Sequence, residues 1–584
     1  MVKIRMNQNG GSVQISRKRL FLVLSVVALA LSLGLSYYPG SNVNSRVGMV
    51  FQAVEAGTIE LGPWAGKTND ASVVGDKAFN GKAPGSAYLA IPFYFVIHLL
   101  IPSLSHDTAR YLLRLLTLLP LCLVAAWLGA AMLDRTFKSA SSYPAAHLAF
   151  APAWLLGTVA FPFSVVLFGH QYAAALLLIA FYCLFRMRED HAWKWPVLAG
   201  LSCGWAILTE YPAALICLFL GIYLLIFCRS IGRIAVFGLI GIALPAAGIG
   251  IYNNACFGSP FTFGYQSLAF SGYSTGMSEG LLGVSWPKLS SLWEVTFSSE
   301  GGLFFNAPWL LAFPAGLYAW IRNRERRPEG IALLAIIVSY LAFNAGYWEP
   351  GGAMSFGPRH LVPAVGFFAL TAFVGGLSFG PIVRGIFFGA VAVSVLVTAF
   401  GTFADPLMPD RLINPLYEFA LPLMLSGQGL GSIIGLKGAA LFWIFCGLMI
   451  VLLGGIWRLR NVETAPNKPM RIAAIASIGL LALVYGIVFP GLPGTDTGML
   501  NQVLGNYYFE REDFMHAQAA YKLAGEHRVD PYIHYYRGRA LLRLGMLMET
   551  KEAFETVLAI DPNFPQRNGL IKILEQIDAA IAKP

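Results

Sequence analysis

Long apolar runs separated by shorter polar segments recur along residues 20–490 of the chain. A helix that crosses the hydrocarbon core of a bilayer needs about 20 mostly apolar residues. Runs of this length, or close to it, lie near residues 20–37, 111–133, 145–168, 172–185, 195–210, 212–228, 233–252, 302–321, 330–347, 360–378, 381–402, 435–457 and 472–490. Lipid offers no hydrogen-bond partners, so each segment must satisfy its own backbone. The pattern therefore predicts an all-α polytopic membrane protein with a bundle of about thirteen transmembrane helices.

One further apolar run, residues 88–104, is predicted to lie along the membrane interface. It is short and has Pro92 and Pro102 near its ends, which suits an interfacial helix. Counting it as a span would place the later basic loops opposite the basic N-terminus, whereas Lys and Arg prefer the cytoplasmic side. With this helix at the interface, residues 1–19 form a cytoplasmic basic N-terminus and the C-terminus lies outside the cell inner (cytoplasmic) membrane.

The first outer loop, residues 38–86, is too polar and too rich in Gly and Pro to lie in lipid. It concentrates charges of both signs in a chain where charge is scarce: Glu55, Glu60, Asp70, Asp76, Arg46, Lys67, Lys77 and Lys82. Carboxylates can act as general bases and cations can bind phosphate. We interpret this loop as the catalytic part of residues 20–498, and a merely solvated loop is the alternative.

Composition agrees with a membrane protein and excludes one other class. Charged residues make up 12% of the 584 residues, hydrophobic residues make up 56%, and the mean hydropathy is +0.62. The formal charge of +10 is spread over short loops, so no nucleic-acid partner is predicted. The cysteines show no disulfide or metal-ligand spacing. No metal site or cofactor is predicted, and metal dependence stays open.

The last segment, residues 499–584, has a soluble composition and contains two similar stretches. Residues 501–531 and 532–562 each end in Asp-Pro, at Pro531 and Pro562. Paired helices with Leu, Gly and Tyr in the first and Ala and Phe in the second resemble tetratricopeptide repeats. Two repeats and a final helix near residues 565–581 are few, since such arrays usually need about three units. We predict a small extracytoplasmic helical domain that packs on the membrane domain or binds a protein partner.

Two residues of the first outer loop are the primary candidates for chemistry. Lys82 precedes Ala83-Pro84-Gly85, a sharp corner that would present a cation near headgroup depth. Anchoring at the interface is the alternative role of Lys82. Asp70 is preferred as a base over Asp76, which follows Gly75 in a typical turn sequence, and over Glu55.

The second candidate stretch, residues 347–360, is rich in aromatic residues, Gly and Pro. Its Arg359 offers a planar fork that suits two phosphate oxygens, although a structural ion pair is the alternative. Ionisable or aromatic residues that are predicted to line a substrate pocket come from this stretch and from other outer turns: Glu210, His170, Tyr265, Glu349 and His360.

Six motifs in this order resemble those of bacterial polytopic glycosyltransferases of the GT-C class, relatives of the protein O-mannosyltransferases and the lipid A aminoarabinose transferases. They are KAPG, FGHQYAAALL, LTEYPAAL, YNNACFGSPFTFGY, GLFFNAPWLL and GGAMSFGPRHLVPA. The resemblance covers residues 20–490 and leaves the C-terminal repeats uncovered.

The resemblance implies a sugar donor linked to polyprenyl phosphate, transfer on the extracytoplasmic face, interfacial helices in the first outer loop and an acidic base there. By position it implies Asp70 as the base and Lys82 and Arg359 as the residues that bind the donor phosphate. Relatives often carry Asp before the Lys of KAPG, whereas this chain has Gly81, so Asp76 and Glu55 stay open as the base. A transporter or flippase of a lipid-linked or phosphorylated substrate is the alternative function, although no internal symmetry typical of transporters is visible.

Overall fold

The computed structural model describes residues 17–34, 40–137, 148–268, 276–278, 280, 283–432, 434–458 and 468–581, without the side chains of 17–19 and 453–458. The chain forms two compact units. The larger unit comprises Met1–Gly352, Phe356–Pro406 and Met424–Val484, and the smaller comprises Ala353–Ser355, Leu407–Leu423 and Tyr485–Pro584.

Helices dominate the described part of the larger unit. They are α1 (Arg17–Ser32), α2 (Gly40–Glu55), α3 (Gly85–Leu100), α4 (His106–Leu113), α5 (Leu119–Phe137), α6 (Phe150–Leu156), α7 (Ala160–Val165), α8 (Gly169–Asp190), α9 (Lys194–Thr209), α10 (Ala213–Phe227), α11 (Ile231–Phe257), α12 (Leu289–Thr296), α13 (Leu303–Asn306), α14 (Phe313–Arg322), α15 (Arg327–Gly346), α16 (Val362–Ser378), α17 (Pro381–Ala404), α18 (Leu421–Leu425, divided between the units), α19 (Gly438–Arg458) and α20 (Lys468–Leu483).

Seven helices among the described residues are long and apolar enough to cross a membrane. They are His106–Thr136, Gly169–Asp190, Ile231–Phe257, Arg327–Gly346, Arg359–Ser378, Pro381–Ala404 and Lys468–Gly491. Shorter apolar helices accompany them, including Leu20–Ser32 and Ala213–Phe227. The predicted class, an all-α polytopic membrane protein, is therefore confirmed, and the number of thirteen spans stays a prediction.

Two of the predicted apolar runs are not single helices. In the run 302–321, α13 ends at Asn306, a 3-10 turn covers Pro308–Ala312, and α14 follows. Pro308 lacks an N–H and disfavours helical geometry at the preceding residue, which explains the break. In the run 145–168, Gly157 separates α6 from α7, and the first residues of that run lie outside the described part.

The first outer loop is more ordered than its composition indicates. After α2, a 3-10 helix covers Gly62–Lys67, and the strands β1 (Ala71–Val74) and β2 (Lys77–Asn80) form an antiparallel hairpin. Ala71 pairs with Asn80, and the turn contains Gly75 with φ of 63°. Only glycine adopts such a φ readily, which explains the two-residue turn at Gly75-Asp76.

A buried ion pair joins α8 to α15 near the predicted cytoplasmic loops. The Glu329 carboxylate is fully buried and accepts hydrogen bonds from Arg188 at 2.7 and 2.8 Å and from the Tyr223 hydroxyl at 3.0 Å. Arg326 adds a second cation at 3.8 Å. A buried charge is stable only when it is paired and hydrogen-bonded, so these contacts fix the helix ends.

We predict that Glu329→Ala will destabilise the membrane domain. Removing one partner of a buried ion pair typically costs about 3–5 kcal/mol, because the other charge is left without compensation. The thermal unfolding midpoint in detergent should fall clearly, whereas Glu325→Ala, an exposed carboxylate on the same loop, should leave it unchanged. Equal midpoints for the two variants would contradict the role of Glu329.

The smaller unit contains two helix pairs and a final helix. They are α21 (Thr497–Glu510), α22 (Phe514–His527), α23 (Pro531–Arg543), α24 (Leu547–Ile560) and α25 (Arg567–Ile581). In both pairs a glycine of the first helix faces an aromatic ring of the second, Gly505 with Tyr521 and Gly538 with Phe554. Equivalent contacts at equivalent positions agree with an internal repeat, and the assignment to tetratricopeptide repeats stays a prediction.

A polar joint in the smaller unit links residues 407–423 to the segment that leads into α21. The Glu418 carboxylate accepts hydrogen bonds from the backbone N–H groups of Asn414, at 3.0 Å, and Thr495, and from the Thr495 hydroxyl at 3.0 Å. The Asn414 amide donates to the carbonyls of Leu492 and Pro493 at 3.1 and 2.8 Å. Three donors on one carboxylate make a strong, directional joint.

We predict that Glu418→Ala will loosen this joint without unfolding the repeats, because the helix pairs keep their own apolar core. Limited proteolysis should then cut the chain between residues 491 and 496 and release a fragment that retains helical circular dichroism. Glu512→Ala, an exposed carboxylate in the turn after α21, is the matched control and should digest like the wild type. Identical digestion of all three proteins would contradict the role of Glu418.

Candidate active site

A buried ion pair connects the first outer loop to the end of α9. Arg46 on α2 is 1% exposed, and its guanidinium donates to Oε1 of Glu210 at 2.7 Å. It also donates to Asn42 and to the carbonyl oxygens of Thr209 at 3.3 Å and Ala83 at 3.4 Å. One arginine thus joins α2, the KAPG corner and the α9–α10 turn.

Two glycines of the sequence motifs allow this close packing. A methyl group on Gly169 would overlap Oε1 of Glu210 and lie 2.9 Å from Nη2 of Arg46. A methyl group on Gly85 would lie 2.6 Å from the backbone of Leu208. Glycine is therefore required at Gly169, where α8 begins, and at Gly85, where α3 begins, because a side chain at either position would clash with neighbouring atoms.

Lys82 and Asp70 form an ion pair of 3.0 Å, and both side chains are largely buried. The ammonium of Lys82 also lies 5.1 Å from the ring centre of Tyr265. Gly81 has no room for a side chain, because a methyl group there would lie 2.7 Å from the Asp70 carbonyl and 2.9 Å from Leu268. A carboxylate therefore cannot fit directly before Lys82, and Asp70 supplies the carboxylate beside it.

The second wall comes from residues 347–360 and the segment that precedes α12. Backbone hydrogen bonds join Ser285 to Gly346 at 2.7 Å and Trp348 to Gly283 at 2.8 Å. Gly352 has φ of 77°, and a methyl group there would lie 2.6 Å from the Arg359 side chain. The glycines of this stretch thus let the backbone pass close to Arg359.

These walls enclose one cavity of mixed polar and aromatic character. Its lining consists of Asn42, Lys82, His170, Glu210, Pro212, Tyr265, Leu268, Met277, Tyr340, Phe343, Tyr347, Trp348, Glu349, Arg359, His360 and Pro363. Lysine and arginine can bind an anion, and aromatic faces can bind a sugar ring or an apolar chain. Both residues predicted to bind phosphate and all five predicted pocket residues contribute to this lining.

Asp70 is absent from that lining and reaches the cavity through its contact with Lys82. The two alternative bases lie elsewhere. Asp76 is exposed in the hairpin turn, and Glu55 accepts hydrogen bonds from Tyr94 and from His106, the latter at 2.9 Å. Burial raises the pKa of Glu55, but the contacts with Tyr94 and His106 outweigh it and hold this pKa below its usual value. Such a carboxylate is a weaker base, and Asp70 remains the preferred candidate.

Sequence reasoning missed several residues of the site. Arg46 was only one of many charges in a polar loop, and Asn42, Met277, Tyr340, Phe343, Tyr347 and Trp348 carried no role of their own. The concentration of aromatics in residues 340–348 is the signal that could have indicated the last four. Among the described residues, no group of three His, Cys, Asp or Glu side chains is arranged to hold a metal ion.

Comparisons with known proteins give structural similarity at low sequence identity. No protein-family model matches the chain, and neither does a curated protein. The chain is similar to the apo crystal structure of ArnT from Cupriavidus metallidurans, with 16% identity, a TM-score of 0.44, and coverage of 80% of this chain and 78% of that one. A second ArnT structure, bound to undecaprenyl phosphate, has a TM-score of 0.42, 16% identity and coverage of 80% and 79%.

A third similar structure is the oligosaccharyltransferase AglB from Archaeoglobus fulgidus, in complex with an inhibitory peptide and a dolichol-phosphate. Its identity is 12%, its TM-score is 0.39, and coverage is 85% of this chain and 59% of that one.

We predict that Gly169→Ala will disrupt the site. The added methyl group would displace the Glu210 carboxylate and weaken its contact with Arg46, so the cavity should lose its shape. The thermal unfolding midpoint of the purified protein in detergent should fall. Gly66→Ala is the control, since a methyl group there meets no atom within 4 Å. An unchanged midpoint in the Gly169 variant would show that this close contact is not needed.

Proposed function

We propose that this protein is a glycosyltransferase of the GT-C class that moves a sugar from a polyprenyl-phosphate donor to an acceptor on the extracytoplasmic face of the membrane. One observation supports the proposal most strongly: Lys82 and Arg359 line the same cavity as Tyr265, Tyr347 and Trp348. A phosphate diester needs cations, and a sugar needs aromatic and polar walls. The six motifs that resemble this class supply most of these residues.

The reaction assigns a role to each charged group. An acceptor hydroxyl attacks the anomeric carbon, a new C–O bond forms, and the bond between that carbon and the phosphate oxygen breaks. The electron pair leaves with polyprenyl phosphate, whose growing negative charge Lys82 and Arg359 stabilise. The hydroxyl proton passes to a base, for which we propose Asp70.

The contact between Asp70 and Lys82 suits this role in one respect. The Asp70 carboxylate lies 3.0 Å from the ammonium of Lys82, which itself lines the cavity. This contact places the base next to a residue that contacts the donor, so that proton transfer and departure of the phosphate take place side by side. The repeats of the smaller unit would bind a protein partner or position the acceptor outside the membrane.

We predict that Asp70→Asn will abolish transfer while the protein stays folded. A general base contributes about 10²–10⁴ in rate, so release of free polyprenyl phosphate should fall by that factor. The assay uses purified, lipid-reconstituted protein, a panel of polyprenyl-phosphate sugars, and membrane extract as the source of acceptor. Asp134→Asn, at the far end of α5, is the control and should be fully active.

Two outcomes would contradict parts of this proposal. Full activity of Asp70→Asn together with loss of activity in Asp76→Asn or Glu55→Gln would move the base to one of those residues. No release of polyprenyl phosphate by the wild-type protein with any donor of the panel would contradict the proposed reaction itself.

A further inference from the structure

Two histidines from distant parts of the chain touch at the cavity wall. His170 lies at the start of α8 and His360 lies just before α16. Nε2 of His170 lies 3.4 Å from Nδ1 of His360. Both side chains line the cavity, and the ring of His360 stands edge-on to Tyr347 with 5.0 Å between ring centres.

Glu210 determines which nitrogen of His170 carries the proton. Its Oε1 lies 3.4 Å from Nδ1 of His170, a charge contact without hydrogen-bond geometry, and accepts the short hydrogen bond from Arg46 at 2.7 Å. The negative charge of a carboxylate favours a proton on the nearer ring nitrogen, which is Nδ1. In the neutral ring of His170, Nε2 then carries no proton and can accept a hydrogen bond through its lone pair.

The contact between the rings transmits this preference to His360. A lone pair on Nε2 of His170 accepts a hydrogen bond from the Nδ1–H of His360, which leaves Nε2 of neutral His360 as an acceptor. In the part of the chain that the structure describes, this nitrogen has no hydrogen-bond partner. Arg46, Glu210 and His170 are buried, and with the partly exposed His360 they form a chain of contacts that ends in an acceptor at the cavity.

We propose that Nε2 of His360 binds a substrate hydroxyl group, and that Glu210 and His170 are positioning residues for it. The inference rests on the proposed glycosyl transfer, whose substrates are rich in hydroxyl groups. The hydroxyl belongs either to the sugar of the donor or to the attacking acceptor. In the second case Nε2 of His360, in place of Asp70, takes the proton as the acceptor oxygen bonds to the anomeric carbon, and polyprenyl phosphate leaves with the electron pair of the broken bond.

Two substitutions of His360 separate these sources. In His360→Asn the side-chain amide lies near the position of Nδ1, so the contact with His170 is kept and the cavity acceptor is lost. In His360→Gln the amide reaches the position of Nε2 and offers an oxygen that accepts a hydrogen bond but is not a base. His191→Asn is the matched control, because His191 is exposed at the end of α8 with φ of 54°, which asparagine tolerates.

The first measurement uses full-length reconstituted protein. It determines the affinity for two lipid probes, polyprenyl phosphate with and without a sugar, and the rate of transfer. If the hydroxyl is that of the sugar, His360→Asn should weaken binding of a polyprenyl-phosphate sugar by about 3- to 10-fold. Binding of polyprenyl phosphate without a sugar should stay unchanged, and His360→Gln should restore affinity. If the hydroxyl is that of the acceptor, both affinities should stay unchanged, and transfer should fall by about 10²–10⁴ in both variants.

The second measurement does not depend on activity. Nitrogen NMR of protein labelled at histidine distinguishes a protonated ring nitrogen from a lone pair, and the His360 signals are assigned as those missing from His360→Asn. We expect a lone pair on Nε2 of His360 in the wild type. In His170→Asn, which keeps an amide near Glu210 but loses the contact with His360, the proton of His360 should distribute over both nitrogens.

Three results would overturn the inference: a protonated Nε2 on neutral His360, equal weakening of both lipid probes in His360→Asn, or unchanged affinity and transfer in both His360 variants of an active protein. The last two concern an enzyme that works, so they differ from the absence of wild-type transfer, which contradicts the proposed function instead.

Discussion

The ion pair between Arg46 and Glu210 is the interaction on which the site depends. Both charges are buried, and a buried charge must be paired and hydrogen-bonded to be tolerated. Because the guanidinium also donates to the carbonyls of Thr209 and Ala83, the first outer loop cannot move away from α9 without exposing several unsatisfied groups. The position of Lys82 follows from this arrangement, since Ala83 is its neighbour and Asp70 pairs with it at 3.0 Å. Arg46, which lies on α2, thus helps to hold the Lys82 ammonium at the cavity.

Much of the fold follows from local sequence pattern, whereas the site does so only in part. Hydropathy identifies the long apolar helices because their signal is carried by each segment alone. It fails at residues 302–321, where Pro308 interrupts an apolar run without changing its hydropathy. It also gives no indication of α2 or of the β1–β2 hairpin, whose order depends on contacts with distant residues. Ser72 illustrates this, since its hydroxyl donates to the carbonyl of Gly264 at 2.6 Å. The pairing of residues 46 and 210 is equally non-local, so Arg46 looked like any other loop charge.

Charge serves two different purposes in the larger unit. Near the predicted cytoplasmic loops, Glu329 is fully buried among Arg188, Arg326 and Tyr223, an arrangement that holds helices together. Near the predicted outer loops, Glu210 has comparable partners, Arg46 and His170, but these groups border a cavity that is also lined by Lys82 and Arg359. Ion pairs that only stabilise can be closed off from solvent, whereas groups that bind an anion must leave room for it. The difference in surroundings, rather than the presence of buried charge, distinguishes the candidate site.

The smaller unit shows how a domain of only two helix pairs and a final helix can be stable. Two helix pairs bury little apolar surface, and arrays of this kind generally need about three units. Here residues 407–423 belong to the same compact unit and contribute Phe419, whose ring packs against Tyr507 with 4.6 Å between centres. The guanidinium carbon of Arg511 lies 3.5 Å from the ring centre of the same tyrosine. The hydrogen bonds of Glu418 to the segment before α21 add to this contact. Residues 407–423 lie between α17 and the end of α18, so the smaller unit is assembled from separate stretches of the chain.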